Sequence, residues 1–176
     1  MIKDWKHQIK SHLKSKACAE VGLLDEYLIS RCLSFYTSVA DHMMRLLDPL
    51  NPDQPVFPIP VEPAILFRIL PEWVVEDMAD FLLFGLQFLP ITVSTELDMG
   101  LVTWLLVMLC HTHFFSEPYL VSKLVEVLFV VKEKTEEIYS RIMTNPIGQE
   151  FLPGALMRFY TEVEHTINSN DKFSVR

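Results

Sequence analysis

The chain has 176 residues, half of them hydrophobic, and a formal net charge of −8 at neutral pH. With 12 Phe and only 5 Gly, this composition excludes a disordered chain and argues against a glycine-rich barrel or a nucleotide-binding α/β sheet. The acidic balance argues against nucleic acid as a partner.

The charge is unevenly distributed along the chain. Residues 1–16 hold five Lys against one Asp, a net of +4, so residues 17–176 carry −12. A basic start of this kind is typical of a nuclear-type basic patch, a membrane-surface helix or a solvated, frayed N-terminus, and we favour the last interpretation. Residues 1–16 are therefore set apart as a lysine-rich N-terminal segment, and residues 17–176 as the folded part.

Neither a leader nor a membrane span is expected. Residues 1–16 lack the apolar region of a signal peptide. The most apolar run, Met99 to Cys110, is shorter than the roughly 18 residues of a spanning helix. We expect a soluble chain with no membrane partner. Three cysteines in no scaffold spacing, Cys18, Cys32 and Cys110, predict free thiols in a reducing compartment, either cytoplasm or nucleus.

Apolar residues at steps of three and four predict one long helix over residues 17–47. Its predicted buried stripe is Leu24, Tyr27, Leu28, Cys32, Phe35, Val39, Met43 and Leu46. Residues 48–63 are rich in proline, which fixes φ and removes a backbone donor, so they predict an extended connector. A short helix over residues 62–70 is expected next.

The helix predicted from Glu72 to Leu89 combines charged and apolar residues. Glu72, Glu76 and Asp80 lie one above another near its N-terminus, where the helix dipole favours carboxylates. The second half is expected to be buried nearly all round, and both Trp73 and Trp104 are expected in the core.

The remaining helices are predicted from their starting signals. These are a capping box at residues 95–98, an N-cap at Ser116 with Pro118 in the first turn, a polar helix over residues 133–143, a short turn from Asn145, and a last helix over residues 155–166 after Pro153. The stripe of the helix after Pro118 is Leu120, Leu124, Val127, Leu128 and Val131. The last helix is expected to bury Leu156, Phe159, Tyr160 and Val163.

No region alternates with the period of two that strands require, so the predicted fold class is all-α. Helices joined by short proline-containing breaks can form a closed bundle or an armadillo/HEAT-like helical solenoid. Adjacent helix pairs of similar length favour a solenoid fragment, although no clean repeat of about 40 residues is found.

Few side chains suggest chemistry. Cys110, His111, His113 and Glu117 form one cluster of metal-type residues, but they lack the spacing of a structural zinc site, and a metal-dependent enzyme remains an outside alternative. Cys110 has a neighbouring His, but adjacent residues on a helix do not face each other. Cys18 and Cys32 have no His at helical reach, and a catalytic thiol needs a base. We therefore predict no catalytic residue, no metal and no cofactor, and expect a helical scaffold that binds other proteins.

Three ordered segments are more specific than these general features. They are Leu70-Pro-Glu-Trp-Val-Val-Glu-Asp-Met-Ala-Asp-Phe-Leu83, Pro118-Tyr-Leu-Val-Ser-Lys-Leu-Val-Glu-Val-Leu128 and Leu156-Met-Arg-Phe-Tyr-Thr-Glu-Val-Glu-His-Thr166. Together they resemble the core domain of the ubiquitin conjugation factors over roughly residues 62–176, with a looser fit back to Leu23.

The resemblance implies an armadillo-like core of a chain-elongating ubiquitin ligase. Members of that family carry a U-box that recruits the conjugating enzyme, and they act with the ubiquitin-selective AAA ATPase segregase in proteasomal degradation. Residues 1–176 contain no segment that resembles a U-box, so the implied role is a scaffold or partner-binding piece without transferase activity of its own. The implied partners are ubiquitinated substrates and the segregase.

Two functions therefore remain open, a core segment of a ubiquitin chain-elongation factor and a non-catalytic helical adaptor. In either case the candidate partner surface is the acidic stripe Glu72, Glu76, Asp77 and Asp80. Helix capping and packing can account for the same carboxylates, and this structural interpretation is favoured.

Overall fold

A computed structural model describes residues 2–48 and 65–171, with side chains placed for residues 4–48 and 65–164. These ranges contain helices and no strand, which confirms the all-α prediction; their arrangement is compatible with a solenoid. In chain order the elements are α1 (Ile2–Leu23), α2 (Glu26–Leu47), α3 (Ile65–Ile69), α4 (Trp73–Phe88), α5 (Pro90–Glu96), α6 (Met99–Cys110), a 3₁₀ turn (Thr112–Phe114), α7 (Pro118–Lys134), α8 (Glu136–Thr144) and α9 (Pro146–Asp171).

The N-terminal part contains two helices, so the prediction of one helix over residues 17–47 was wrong. Asp25 has extended backbone angles (φ −73°, ψ 114°), and its side chain accepts a hydrogen bond of 2.7 Å from the backbone N–H of Leu28. This N-cap starts α2 afresh, because it satisfies a donor that has no partner within the helix. The lysine-rich start is helical from Ile2, so it is not frayed as predicted, whereas its side chains from Asp4 to Lys16 are solvated as expected.

The stripe predicted for α2 coincides with the buried face only in part, since Cys32, Val39 and Leu46 are half-buried. Tyr27 and Phe35 are 72 % and 62 % exposed, and Met43 is the single member of the predicted stripe that is fully buried. Apolar side chains occur on two neighbouring faces of this helix, and packing against α5 and α6 selects one of them. The buried residues are Ile29, Leu33, Ala40, Met43, Met44 and Leu47.

The core is built around α6, which packs against α2, α7, α8 and α9. Nine of its twelve residues are buried, as expected for a helix with no polar face. On one side of this core α4 lies along α7. The second half of α4 is less enclosed than predicted, since Phe88 at its end is 56 % exposed.

The helix starts around α6 and α7 differ from the predicted signals. Thr95 belongs to α5, a helix that the sequence reading missed, and Asp98 alone caps α6 by accepting a 2.7 Å hydrogen bond from Gly100 N–H. Glu117 holds the N-cap position of α7 without a side-chain bond, so Ser116 is not the cap, whereas Pro118 is in the first turn as predicted. All five residues of the predicted α7 stripe are buried.

At the C-terminal end the polar helix α8 begins only at Glu136, because α7 continues to Lys134. The break predicted at Pro153 is wrong, since α9 continues through this proline. Within α9, Leu152 is buried, whereas Tyr160, expected in the core, is 65 % exposed. Ala155 is also buried, while Leu156, Phe159 and Val163 are half-buried. The long helix therefore contributes mainly its first turns to the core, where it packs on α6 and α8.

Two further sequence predictions involve residues outside this description. Apart from Asp48, where α2 ends, the predicted proline-rich connector over residues 48–63 lies outside the described residues, as do the first positions of the helix predicted over 62–70.

In the parts described, no single helix is long and apolar enough to span a membrane. The consecutive helices α5 and α6 reach that length and composition together, but they are bent by 101°.

Gly148 marks a close approach between α9 and α8. A Cβ atom there would lie 2.5 Å from the backbone oxygen of Ile142, which cannot move aside as a flexible side chain can. We expect Gly148→Ala to lower the free energy of unfolding by about 2–3 kcal/mol. Gly154→Ala on the same helix has nothing within 4 Å and is expected to add up to about 1 kcal/mol. Urea denaturation followed by circular dichroism measures both, and effects of the same sign would contradict this packing.

Candidate partner-binding surface

The acidic stripe predicted on α4 is largely engaged in contacts with α7. Lys123 of α7 points at it, with Nζ 2.8 Å from Oε1 of Glu76 and 2.9 Å from Oδ1 of Asp80. The ring of Tyr119, one turn earlier on α7, has its centre 5.0 Å from the same Nζ atom. One ammonium group is thus surrounded by two carboxylates and an aromatic face, and this holds α4 and α7 in register.

Lys123 is buried at 8 % exposure, whereas the side chains of Glu76 and Asp80 are 41 % and 55 % exposed. Burial disfavours the charged form and by itself would lower the pKa of Lys123. The hydrogen bonds and the attraction from Glu76 and Asp80 outweigh burial and raise this pKa well above its ordinary value. Lys123 is therefore a permanent cation at neutral pH.

The other two acidic residues have different surroundings. Oε1 of Glu72 accepts a 2.8 Å hydrogen bond from the backbone N–H of Ser116, which fixes the approach to α7. Asp77 is exposed and faces a different neighbour. The pKa of Tyr36 on α2 is raised mainly by burial and, to a smaller extent, by the negative charge of Asp77. Three residues of the stripe therefore bind α7 or the segment that leads into it. The fourth, Asp77, interacts electrostatically with Tyr36 of α2.

An open groove lies between the start of α4 and the start of α7. Its volume is about 400 Å³, and we call it the acidic-aromatic groove. None of its lining residues is basic; they are Glu72, Trp73, Glu76, Ser116, Glu117, Tyr119 and Leu120. Trp73 and Tyr119 are 60 % and 62 % exposed, so the prediction that Trp73 lies in the core is wrong. Trp73 lies in the first turn of α4, and its side chain lines the groove.

The sequence predicted Glu72 and Glu76 for this surface but not Lys123 or Tyr119. Glu117 had been assigned to the cluster of metal-type residues instead. A signal for Lys123 was present, because this lysine falls within the apolar stripe of α7 between Leu120 and Leu124. A lysine on a buried stripe requires an anionic partner, since an isolated buried charge is costly. The identity of that partner depends on how α4 packs against α7.

The cluster of metal-type residues after α6 is arranged for packing. Nδ1 of His111 lies 2.9 Å from the carbonyl oxygen of Val107 and donates to it, while the ring stacks on Phe114 at 5.1 Å between centroids. Burial lowers the pKa of His111 and raises the pKa of the Cys110 thiol to about 11. Across residues 4–48 and 65–164, where side chains are placed, no three His, Cys, Asp or Glu side chains are arranged to hold a metal ion.

Comparison with known proteins places the chain in a family. A family model described as "Ubiquitin elongating factor core" matches residues 1–176. The chain belongs to this family. The match extends through residues 1–16, which had been set apart as a separate segment, and beyond the roughly 62–176 over which the motifs were recognised.

Individual relatives agree with this family. The ubiquitin conjugation factor E4 of Schizosaccharomyces pombe is 28 % identical over 170 residues, which cover 90 % of this chain and 17 % of that protein. The ubiquitin conjugation factor E4 ufd-2 of Caenorhabditis elegans is 26 % identical, over 90 % of this chain and 16 % of its own length. A probable ubiquitin conjugation factor E4 of Arabidopsis thaliana is also 26 % identical, over 93 % and 16 %.

The chain therefore spans about a sixth of the length of these relatives. No solved structure matches it. The family resemblance inferred from the three sequence segments is confirmed, and this chain corresponds to part of the core of the longer proteins.

Proposed function

We propose that this chain forms part of the core of a ubiquitin chain-elongation factor and acts there as a scaffold for proteins of the ubiquitin pathway. The observation that supports this proposal is the family match over the whole of residues 1–176. The relatives named ubiquitin conjugation factor E4 support the same assignment. The expected partners are ubiquitinated substrates and a ubiquitin-selective AAA ATPase.

The geometry supports a binding role for these residues. Cys110, the buried cysteine beside a histidine, has a raised pKa and stays a protonated thiol at neutral pH, which disfavours it as a nucleophile. The acidic-aromatic groove presents exposed Trp and Tyr side chains beside carboxylates, and such aromatic residues are enriched in protein interfaces. We propose this groove as a contact surface for a protein partner.

A cellular location follows as a further part of the proposal. The three cysteines are free thiols, with Cys18 exposed, and free thiols suit a reducing compartment. We therefore propose the cytoplasm, the nucleus or both. Immunofluorescence of the tagged chain tests this, and a secretory-pathway signal would contradict it.

A ubiquitin chain-extension assay distinguishes a scaffold role from ubiquitin ligase activity. Purified chain is incubated with ubiquitin, activating enzyme, conjugating enzyme and a substrate that already carries ubiquitin, and the fission yeast relative serves as the comparison protein. We expect no extension by residues 1–176 alone, because they hold no segment resembling a U-box. Ubiquitin chains that lengthen with this chain would contradict the scaffold proposal.

A pull-down with the same reagents tests partner binding directly. We expect the immobilised chain to retain the ubiquitinated substrate at least fivefold better than the unmodified substrate. Equal retention of the two forms would contradict a role in recognising ubiquitinated proteins, and it would leave a helical adaptor with unrelated partners as the better description.

A further inference from the structure

The helix α1 presents two parallel rows of side chains to solvent. Trp5, Ile9 and Leu13 recur every four residues and are 63 %, 56 % and 61 % exposed. Lys6 and Lys10 begin a second row, continued by Lys14, on the neighbouring face. Each step of four residues advances about 6 Å along a helix axis, so both rows run along the same edge.

Among residues 4–48 and 65–164, no element covers these rows. Every placed side chain of α1, from Asp4 to Leu23, is exposed. A helix without tertiary contacts is only marginally stable in water, because most helical stability in proteins comes from packing an apolar face. The exposed row of α1 is therefore an unpartnered face, of the kind that binds in a groove through residues spaced by one turn.

The acidic-aromatic groove is complementary to this face in charge and in chemistry. Its rim carries the carboxylates of Glu72, Glu76 and Glu117. Glu76 already pairs with Lys123 of its own copy, so the negative charge open to a docking lysine lies mainly at Glu72 and Glu117. Along α4, Glu72 and Glu76 lie four residues apart, the same spacing as the lysine row of α1. Exposed aromatic rings in the groove offer apolar contacts to the Trp, Ile and Leu row.

We propose that α1 of one copy docks into the acidic-aromatic groove of a second copy, with its lysine row against the carboxylates and its apolar row against Trp73 and Tyr119. The charge distribution selects this occupant, because residues 1–16 carry +4 and residues 17–176 carry −12. An anionic membrane is disfavoured, since it would repel the acidic remainder of the chain. The inference uses the groove proposed above as a contact surface, but it does not depend on ubiquitin.

Sedimentation velocity of the purified chain tests the docking without any ubiquitin reagent, so its failure is distinguishable from failure of the scaffold proposal. We expect self-association that weakens at least tenfold between 50 and 500 mM salt. Lys10→Glu/Lys14→Glu and Glu72→Lys/Glu117→Lys should each weaken it at least tenfold. The matched reversal Lys132→Glu/Lys134→Glu, at the other end of α7, should leave it unchanged.

Mixing the two charge-reversed variants is the decisive test of whether α1 of one copy pairs with the groove of another. The reversed helix of one variant now matches the reversed groove of the other, so association should return to within threefold of the unaltered chain. Association can return only if both variants are folded, so the mixture distinguishes loss of docking from loss of structure. A monomeric chain, association insensitive to both reversals, or a mixture that stays monomeric would overturn the inference. Binding of α1 to anionic vesicles without self-association would overturn it as well.

Discussion

Replacing Trp104 with alanine is expected to lower the free energy of unfolding by about 3–5 kcal/mol, the largest effect of any single substitution considered. Trp104 is 0 % exposed and sits on α6, the helix at the centre of the packing. Removing its indole ring loses the transfer free energy of a large side chain and leaves a cavity that helices on several sides cannot all close. Chemical denaturation followed by circular dichroism at 222 nm measures the change.

Trp73 provides the matched control, because the sequence placed both tryptophans in the core. Trp73 is 60 % exposed at the rim of the groove, so Trp73→Ala should cost less than about 1 kcal/mol. Trp104→Phe should cost about 1–2 kcal/mol, since it keeps most of the ring and removes an Nε1–H donor that has no acceptor in the described part of the chain. Similar losses for the two alanine variants would contradict the position of α4 on α7.

Removing both anions around Lys123 is expected to destabilise the packing of α4 on α7. The double variant Glu76→Gln/Asp80→Asn keeps the size of both side chains but leaves a buried ammonium group, 8 % exposed, without its compensating charges. Losing the partner of a fully buried charge costs about 3–5 kcal/mol. Because Glu76 and Asp80 are themselves 41 % and 55 % exposed, we expect a smaller loss of about 2–3 kcal/mol here.

A double-mutant cycle isolates this interaction. Lys123→Met keeps the apolar stem and removes the charge, so adding Glu76→Gln/Asp80→Asn to it should cost less than about 0.5 kcal/mol. An equal loss in both backgrounds would show that the carboxylates stabilise α4 without Lys123. The measurement belongs at pH 7. The pKa of Lys123 is raised in the fold, so its contribution is complete below the ordinary lysine value of 10.5 and is lost only as pH rises through the higher folded value.

Much of the architecture was readable from the sequence because it depends on local rules. Proline at the first turn of α7, the apolar run of α6 and the stripe from Leu120 to Val131 each predicted what the structure has. Errors arose where local signals compete. Asp25 interrupts a helical pattern with a cap, and α9 continues through Pro153, whose effect on a helix depends on the packing around it.

The candidate surface could be predicted only in part, because local rules give positions on one helix but not the packing between helices. Glu72 and Glu76 were visible as a helical stripe, because position on a helix face follows from residue number alone. The cation that two of the carboxylates bind lies 47 residues from Glu76 in the chain, and the groove exists only where the starts of α4 and α7 meet. Trp73 and Trp104 illustrate the limit, since both lie in apolar stretches of the sequence, yet one ring is exposed and the other is buried.

By itself, the sequence determined the helical class, the acidic and lysine-rich parts of the chain and, through three ordered segments, the ubiquitin elongating factor core family. These properties depend on residue identity and spacing along the chain. Only the tertiary structure decided which face of α2 is buried, which tryptophan is exposed and that Lys123 joins α4 to α7. Such choices depend on contacts between residues far apart in sequence, where burial and charge pairing outweigh local preference.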